Sequence, residues 1–281
     1  MEKLLERAKF LIEALPYIQR FKGKLVVMKL GGKLFEDRAL LRDTAQDVLL
    51  LKMVGIEPVV VHGGGPQLDK MLNRMGIESK KVNGLRITDE DTMEVVEMVL
   101  AGQLNRALVM EINLVGGKAV GLSGKDGMMI RAKPVDGGKL GAVGEVTQVE
   151  CELIMEMVKS NLIPVIAPIG VDDQGKIYNI NADIAAGAIA SALRAEKLIL
   201  LTDVEGVKDA QNQLLSSLHA GEASRLIKKG AISGGMIPKV KCCLEALKAG
   251  VVKAHIIDGR VAHSVLLEIF TDKGLGTEIY L

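Results

Sequence analysis

LVVMKLGG at Leu25–Gly32 and PVVVHGGGPQ at Pro58–Gln67, separated by the helical stretch Arg38–Met53, decide the fold. Leu25–Leu30 and Pro58–Val61 are apolar at nearly every position rather than at alternate ones, the pattern of strands buried on both faces. Each run ends directly in glycines. Buried strand, glycine turn, helix and buried strand is the opening of a parallel sheet covered by helices. The same pattern continues along the chain. Ala119–Leu122, Pro164–Ile169, Leu198–Leu201 and Ala254–Ile257 read as further strands. Gln67–Met75, Asp89–Glu111, Glu152–Lys159, Ala182–Leu193 and Pro238–Lys248 read as helices between them. The expectation is an α/β protein, a three-layer αβα sandwich around an open, mainly parallel central sheet.

Two segments break the pattern. Between Met128 and Val149 the residues alternate as in strands, with Asp136-Gly137-Gly138 as a turn, which predicts a hairpin insertion. At the N-terminus, Leu4, Ala8, Leu11, Ile12 and Leu15 recur at helical spacing over Glu2–Leu15, and Pro16 predicts a kink or stop before Tyr17–Phe21 resumes. That apolar stripe must be buried either on the domain or on a neighbouring subunit. No Gly/Ser/Pro linker divides the chain, so two lobes would share one continuous sheet.

The 281 residues correspond to roughly two domains at about 150 residues each. Hydrophobic residues are 48% and charged residues 25%, which excludes a disordered chain. The formal net charge of +1 provides no field for a phosphate backbone, and 2% aromatics provide no platform for stacked bases, so nucleic acid is excluded as a partner. No apolar run reaches the roughly 18 residues of a membrane span, and the N-terminus has no signal-peptide pattern. Cys151, Cys242 and Cys243 have neither disulfide-framework nor zinc-site spacing and read as reduced thiols of a cytoplasmic protein.

The glycines carry the chemistry. In a parallel sheet ligands sit at the carboxyl ends of the strands, where Gly31-Gly32 and Gly63-Gly64-Gly65 fall. Consecutive glycines let backbone N–H groups approach an anion, and the helix that follows adds positive potential. Both could equally be tight turns. The P-loop pattern is absent, and the dinucleotide fingerprint fails because Leu68 stands where its third glycine belongs. No HExxH, GxSxG or protein-kinase set occurs, and no metal site is expected on the protein itself. Lys29, beside Gly31, and Lys239, after Ser233-Gly234-Gly235-Met236-Ile237-Pro238, are cations among apolar residues, where phosphates are suitable partners. Asn181 reads as an N-cap with Asp183 in the first turn, which leaves Asn179 unexplained. Arg86 is either a surface residue or a fork for a carboxylate.

In this order KLGG (Lys29–Gly32), VHGGGPQ (Val61–Gln67), NGLRIT (Asn83–Thr88), YNINAD (Tyr178–Asp183), LTDVEGV (Leu201–Val207) and GGMIPK (Gly234–Lys239) resemble the amino acid kinase family, over nearly the whole chain from about Lys24. NGLR and YNINAD narrow the resemblance to the branch that phosphorylates N-acetylglutamate. It implies the amino acid kinase fold and ATP-dependent phosphorylation of the γ-carboxylate of N-acetyl-L-glutamate to the 5-phosphate, in arginine biosynthesis. The nucleophile is already ionised at neutral pH, with a reference pKa of about 4.3, so no general base is required.

By the same resemblance residues 1–22 form an oligomerisation helix, 23–194 the acetylglutamate lobe and 195–281 the ATP lobe. Lys29 and Lys239 would stabilise the transition state and Asp183 would orient both. Gly64, Gly65, Arg86 and Asn179 would bind acetylglutamate. Gly31, Gly32, Gly63, Thr202, Asp203, Val204, Glu205, Gly206, Val207 and Ser233 would lie at the nucleotide, with Mg²⁺ bound through the ATP phosphates. Tyr17, His263, Glu268, Gly274 and Gly276 resemble the L-arginine inhibitor site of the hexameric branch, a trimer of dimers; a PII-type signalling partner is left open. Lys33 stands where a small residue is common in the family, and it either adds charge near the phosphates or points to solvent. Residues 211–220 are less family-like. The rival readings are a kinase for N-acetyl-aminoadipate or carrier-linked glutamate in lysine biosynthesis, a non-catalytic amino-acid sensor, and an NAD oxidoreductase.

Overall fold

The computed structural model describes residues 2–82, 84–271 and 274–281, with side chains in the first helix described at Lys9 and from Ile12 onward. The chain begins with α1 (Glu2–Phe21), β1 (Leu25–Leu30), α2 (Arg38–Met53), β2 (Glu57–His62), α3 (Gly65–Arg74) and the short pair β3 (Lys81–Val82) and β4 (Leu85–Arg86). Then α4 (Glu90–Glu97) passes through a π-helical turn, Met98–Leu104, into α5 (Asn105–Leu114). β5 (Ala119–Ser123), β6 (Ile130–Pro134), β7 (Val143–Val149), α6 (Glu152–Lys159), β8 (Ile163–Ala167), β9 (Ile169–Val171), β10 (Ile177–Ile180) and α7 (Ala182–Ala192) follow. The remainder is β11 (Lys197–Thr202), β12 (Ser217–His219), α8 (Ala220–Lys228), α9 (Met236–Lys248), β13 (Lys253–Asp258), α10 (Ser264–Ile269) and β14 (Thr277–Tyr280).

Eight strands form one sheet in the order β12-β14-β13-β11-β1-β2-β8-β5. Neighbours are parallel except β13 and β14. β1 lies between β2 and β11, where the strand order reverses and the loops leaving the carboxyl ends diverge to open a crevice. Strand residues alternate between two cores. Val27, Val61 and Leu200 face α3, α7 and α9. Met28, Leu30 and Ile199 face α2, α5 and α10. The three-layer sandwich therefore stands as expected, and one sheet runs through both halves of the chain.

Two expectations need correction and a third, the kink or stop at Pro16, is narrowed. The predicted hairpin forms as β6 and β7, but β9 and β10 close it into a four-stranded barrel, β10-β7-β6-β9, outside the sandwich. The run Pro164–Ile169 is two strands in different sheets, because Pro168 has no N–H to continue the ladder. The N-terminal helix runs without a stop through Pro16. Pro16 is exposed, so the carbonyl deprived of its donor can turn to water. Along that helix Leu4, Ala8 and Leu11 lie outside the described side chains. Ile12 is 68% exposed and Leu15 44%, whereas Phe21 is buried in the α2 face of the core.

α7 is built of small residues, ADIAAGAIASA, and this allows a close helix crossing. A Cβ on Gly187 would stand 2.5 Å from Cys242 Sγ, so α9 packs onto α7 where α7 has no side chain. The Cys242 thiol donates to the Asp183 carbonyl at 2.9 Å. Burial pushes that thiol up to about 12, so it remains protonated. Cys151, Cys242 and Cys243 are all free. This crossing determines how α9 meets the start of α7.

Candidate active site

Lys29 is the penultimate residue of β1 and pairs in register with Val61 of β2 and Leu200 of β11. Side-chain alternation puts it on the face of Val27, beneath the N-terminus of α7. Asn181 caps α7, accepting from the amides of Asp183 at 2.9 Å and Ile184 at 3.3 Å. Asp183 is then in the first turn, where the helix dipole favours a carboxylate. Lys239 is in the first turn of α9.

These three residues, far apart in sequence, converge. Lys29 Nζ is 2.8 Å from Asp183 Oδ1, an ion pair off the line of a hydrogen bond. Lys239 Nζ donates to Asp183 Oδ2 at 2.7 Å. Burial would raise the Asp183 carboxyl, but the two ammonium groups outweigh it and hold the carboxyl below its usual range.

Two cavities meet at this triad. One, of about 320 Å³, is lined by Gly63, Gly64, Gly65, Arg86, Asn179 and Asp183 among others; the second, of about 450 Å³, by Gly31, Lys33, Thr202, Asp203, Gly259 and Arg260 among others. Lys29, Gly32 and Lys239 line both. The glycine turns touch each other there. A Cβ on Gly32 would stand 2.9 Å from Pro66 Cδ and 3.0 Å from Gly64 Cα, whereas one on Gly65 would meet only open space.

Arg86 is buried and turned into the first cavity. Its guanidinium is bonded to Asp69 and Ser79 and donates to the Gly65 carbonyl at 3.3 Å. Asp69 loses some solvation, yet Arg86, Ser79 and Lys81 hold its carboxyl well below the ordinary range. The surface alternative for Arg86 is thereby removed. Asn179 donates to Thr88 Oγ1 at 3.3 Å. Asn83, the first residue of the NGLRIT motif, lies outside the described residues.

Beyond the second cavity, and sharing Asp203 and Arg260 with it, is a third of about 510 Å³ whose lining includes Val204, Glu205, Gly206 and Ser233. Val207 and Gly63, also expected at the nucleotide, line neither the second nor the third cavity. Val207 is buried, its amide donating to Thr277 Oγ1 at 2.8 Å, and Gly63 opens on the first cavity only. Lys33 bridges the second cavity's rim to Asp203 at 2.7 Å rather than pointing to solvent unpaired, and that bond holds the Asp203 carboxyl below its usual range.

A fourth cavity, of about 620 Å³, lies between α1 and the far sheet edge and is lined by Tyr17, Glu268, Gly274 and Gly276 among others. His263 is not part of it. Its Nδ1, at the start of α10, is 2.6 Å from Asp47 Oδ1 of α2. The histidine that meets Glu268 is His255, Nδ1 to Oε1 at 2.6 Å, and His255 Nε2 is 3.1 Å from Lys197 Nζ. Lys197 also lies 5.2 Å from the Phe21 ring centroid and, with Arg20, lines this cavity. Glu268 is therefore not a solvated helix carboxylate. The stretch His255–Arg260 also resembles the family's arginine-site region, whereas local sequence carried no signal for Lys197 or Asp69, because each acts through a partner distant along the chain.

The sequence profile described as the amino acid kinase family matches residues 24–258. The acetylglutamate kinase of Syntrophus aciditrophicus is 53% identical over 293 residues, spanning 100% of this chain and 99% of that protein. That of Pelobacter propionicus is 56% identical over 290 residues, spanning 99% of each. Among solved structures, N-acetylglutamate synthase from Neisseria gonorrhoeae, complexed with coenzyme A and N-acetyl-glutamate, superposes with a TM-score of 0.88 at 27% identity over 98% of this chain. The chain spans only 63% of that synthase. Giardia lamblia carbamate kinase bound to AMP-PNP shares the fold, with a TM-score of 0.70 at 18% identity over 92% of this chain and 98% of that one. With its motifs in order, its sheet reversing at β1 and the two acetylglutamate kinases matched end to end, the chain belongs to the amino acid kinase family, in the group of the acetylglutamate kinases.

Proposed function

We propose that this chain transfers the γ-phosphoryl group of ATP to the γ-carboxylate of N-acetyl-L-glutamate, serving arginine biosynthesis. The observation that carries the reading is the pair Lys29 and Lys239, joined through Asp183, standing on the wall common to two cavities. A phosphoryl transfer between two anions needs charge placed between them, and little covalent help. The first cavity suits the acetylated amino acid, with Arg86 gripping the α-carboxylate and Asn179 and the Gly64–Gly65 turn completing the contacts. The second and third suit ATP, with Gly31 and Gly32 at the phosphates and Thr202–Gly206 and Ser233 farther along. During transfer the two ammonium groups neutralise the equatorial oxygens, and Asp183 keeps both aimed.

Among the described residues no group of three or more His, Cys, Asp or Glu is placed to hold a metal ion. We read Mg²⁺ as arriving with the nucleotide, bound through the ATP phosphates, where it would supply charge neutralisation. Residues 23–194 are read as the acetylglutamate lobe, since they supply all the first cavity's lining but Lys239, and 195–281 as the ATP lobe, since they supply the third cavity, while the second cavity is lined from both. Residues 1–22 are read as the oligomerisation helix of a hexamer; Ile12 and Leu15, at 68% and 44% exposure, leave apolar surface there for a neighbouring subunit. No described helix is long and apolar enough to cross a membrane, which suits a cytoplasmic enzyme. Glu268, Tyr17, Gly274 and Gly276 offer the fourth cavity to L-arginine as an inhibitor. The Neisseria synthase has also been solved with coenzyme A and L-arginine, at 26% identity to this chain.

An ATP-coupled assay offering N-acetyl-L-glutamate, N-acetyl-aminoadipate and aspartate tests the substrate. Turnover is expected with acetylglutamate in clear preference; preference for the longer acid by more than about tenfold would replace this reading with the lysine-pathway kinase. Millimolar L-arginine is expected to inhibit, and Glu268→Gln to relieve that inhibition at unchanged basal activity. Insensitivity of the wild type would remove the arginine assignment. Gly32→Ala forces its Cβ into Pro66 and the Gly64 backbone. Since an error of about 1 Å in alignment costs on the order of 10²-fold, kcat/KM is expected to fall by about that factor; activity within about threefold of wild type would show that the two turns need not touch.

A further inference from the structure

His62 and Asn105 form a buried polar chain behind the Gly63-Gly64-Gly65 turn, at 0% and 1% exposure. Neither side chain lines a cavity of the candidate site. His62 ends β2, and its Nδ1 lies 3.0 Å from the Gly63 carbonyl oxygen. Its Nε2 lies 3.3 Å from Asn105 Nδ2. The amide's orientation follows from its other neighbours, because Nδ2 is 2.9 Å from the Val165 carbonyl oxygen and 3.3 Å from that of Leu122, which can only accept. Asn105 therefore points a donor at His62. The Gly63 carbonyl can only accept, so Nδ1 carries the ring proton and donates it there, which leaves Nε2 an acceptor facing the Asn105 NH₂, whose two hydrogens are shared among Nε2 and the two carbonyls. Burial pushes the His62 pKa down to about 4, so the ring stays neutral at physiological pH.

Asn105 reaches His62 from the end of the π-helical turn Met98–Leu104. Such turns are rare and recur at functional sites, because they re-aim the residues that follow. The same turn presses Leu100 and Leu104 onto Gly64, where any Cβ would overlap both side chains. Gly121 provides the matching gap for Asn105, since a Cβ there would overlap Asn105 Oδ1. One helical irregularity thus holds the glycine turn both by packing and by hydrogen bonding.

We propose that Asn105 and His62 are positioning residues, a donor–acceptor relay that pins the Gly63 carbonyl and so keeps the Gly64 and Gly65 amides turned into the substrate cavity. The first amides of α3 have no intrahelical acceptor and are available to an anion. Without the imidazole donor the Gly63–Gly64 peptide is free to rotate and present its oxygen instead, which repels a carboxylate. The relay rests on the acetylglutamate reading for its substrate but not for its geometry.

The test compares the wild type with His62→Leu, His62→Asn and Asn105→Leu in KM for acetylglutamate, KM for ATP, kcat and Tm, together with ¹⁵N NMR of the His62 ring. The relay predicts an Nδ1–H tautomer in the wild type and mixed tautomers in Asn105→Leu. It predicts an acetylglutamate KM raised about tenfold in both leucine variants, with ATP KM within about twofold. His62→Asn, whose amide can replace the Nδ1 donor, is expected to recover most of the loss. An Nε2–H tautomer in the wild type overturns the relay, as does a lowered Tm with unchanged KM. If the leucine variants do not fold, the wild-type spectrum and His62→Asn still decide. Failure of the wild type to phosphorylate acetylglutamate would overturn the substrate reading instead, while the tautomer measurement continues to judge the relay.

Discussion

Lys29→Ala and Lys239→Ala are each expected to lose about 10²–10³-fold in kcat, a loss of roughly 3–4 kcal/mol in transition-state stabilisation, comparable to deletion of one oxyanion donor. KM values should move far less, because the ammonium groups are most needed when charge spreads over the migrating phosphoryl group. Each variant leaves Asp183 one lysine partner, so both proteins are expected to fold. Steady-state kinetics with a saturating second substrate reads the effect; kcat within about threefold of wild type in either variant would remove that lysine from the transition state. Asp183→Asn is the sharper control, since it keeps both ammonium groups and removes what aims them. Its effect on stability depends on pH with a definite sign. The folded-state carboxyl of Asp183 lies below its unfolded value, so its pairing stabilises the protein above the unfolded pKa of about 3.9 and is lost as pH falls through the folded value. The stability gap between wild type and Asp183→Asn, measured by urea unfolding, should therefore narrow toward acid.

Arg86→Leu is expected to lower kcat/KM for acetylglutamate by about 10²–10³-fold, or roughly 3–4 kcal/mol, within the range for truncating one side of a buried charged contact. Part of that loss is structural, because Asp69 and Ser79 are left without the guanidinium that holds them. Arg86→Lys separates the two contributions. It keeps the charge beside Asp69 and loses the planar fork, and a fall of about tenfold is expected. ATP KM should be unaffected in both, since Arg86 lines only the first cavity. An acetylglutamate KM within twofold of wild type in Arg86→Leu would assign the first cavity to another ligand.

Much of the frame was readable from neighbouring residues. Continuous apolar runs marked β1 and β2 as strands buried on both faces, and the glycines after them lie where the crevice opens. Asn181 and Asp183 were legible as a cap and first-turn acid, because a cap is a matter of two or three residues. Errors arose where long-range contacts governed. Pro168 divided an apolar run between two sheets, and His263, expected beside Glu268, meets Asp47 of α2 while His255 meets Glu268.

Residue order along a few turns of chain was enough to specify strand, turn, helix start and the kinase motifs, since hydrophobic period and backbone conformation are local properties. Which charges face one another was not. Lys33 meets Asp203 and Lys239 meets Asp183 across separations of 170 and 56 residues. Those pairings depend on helix axes approaching within ångströms, as Gly187 permits beneath Cys242. Electrostatic contacts are short-ranged in space and indifferent to distance along the chain, so only the packed molecule could assign them.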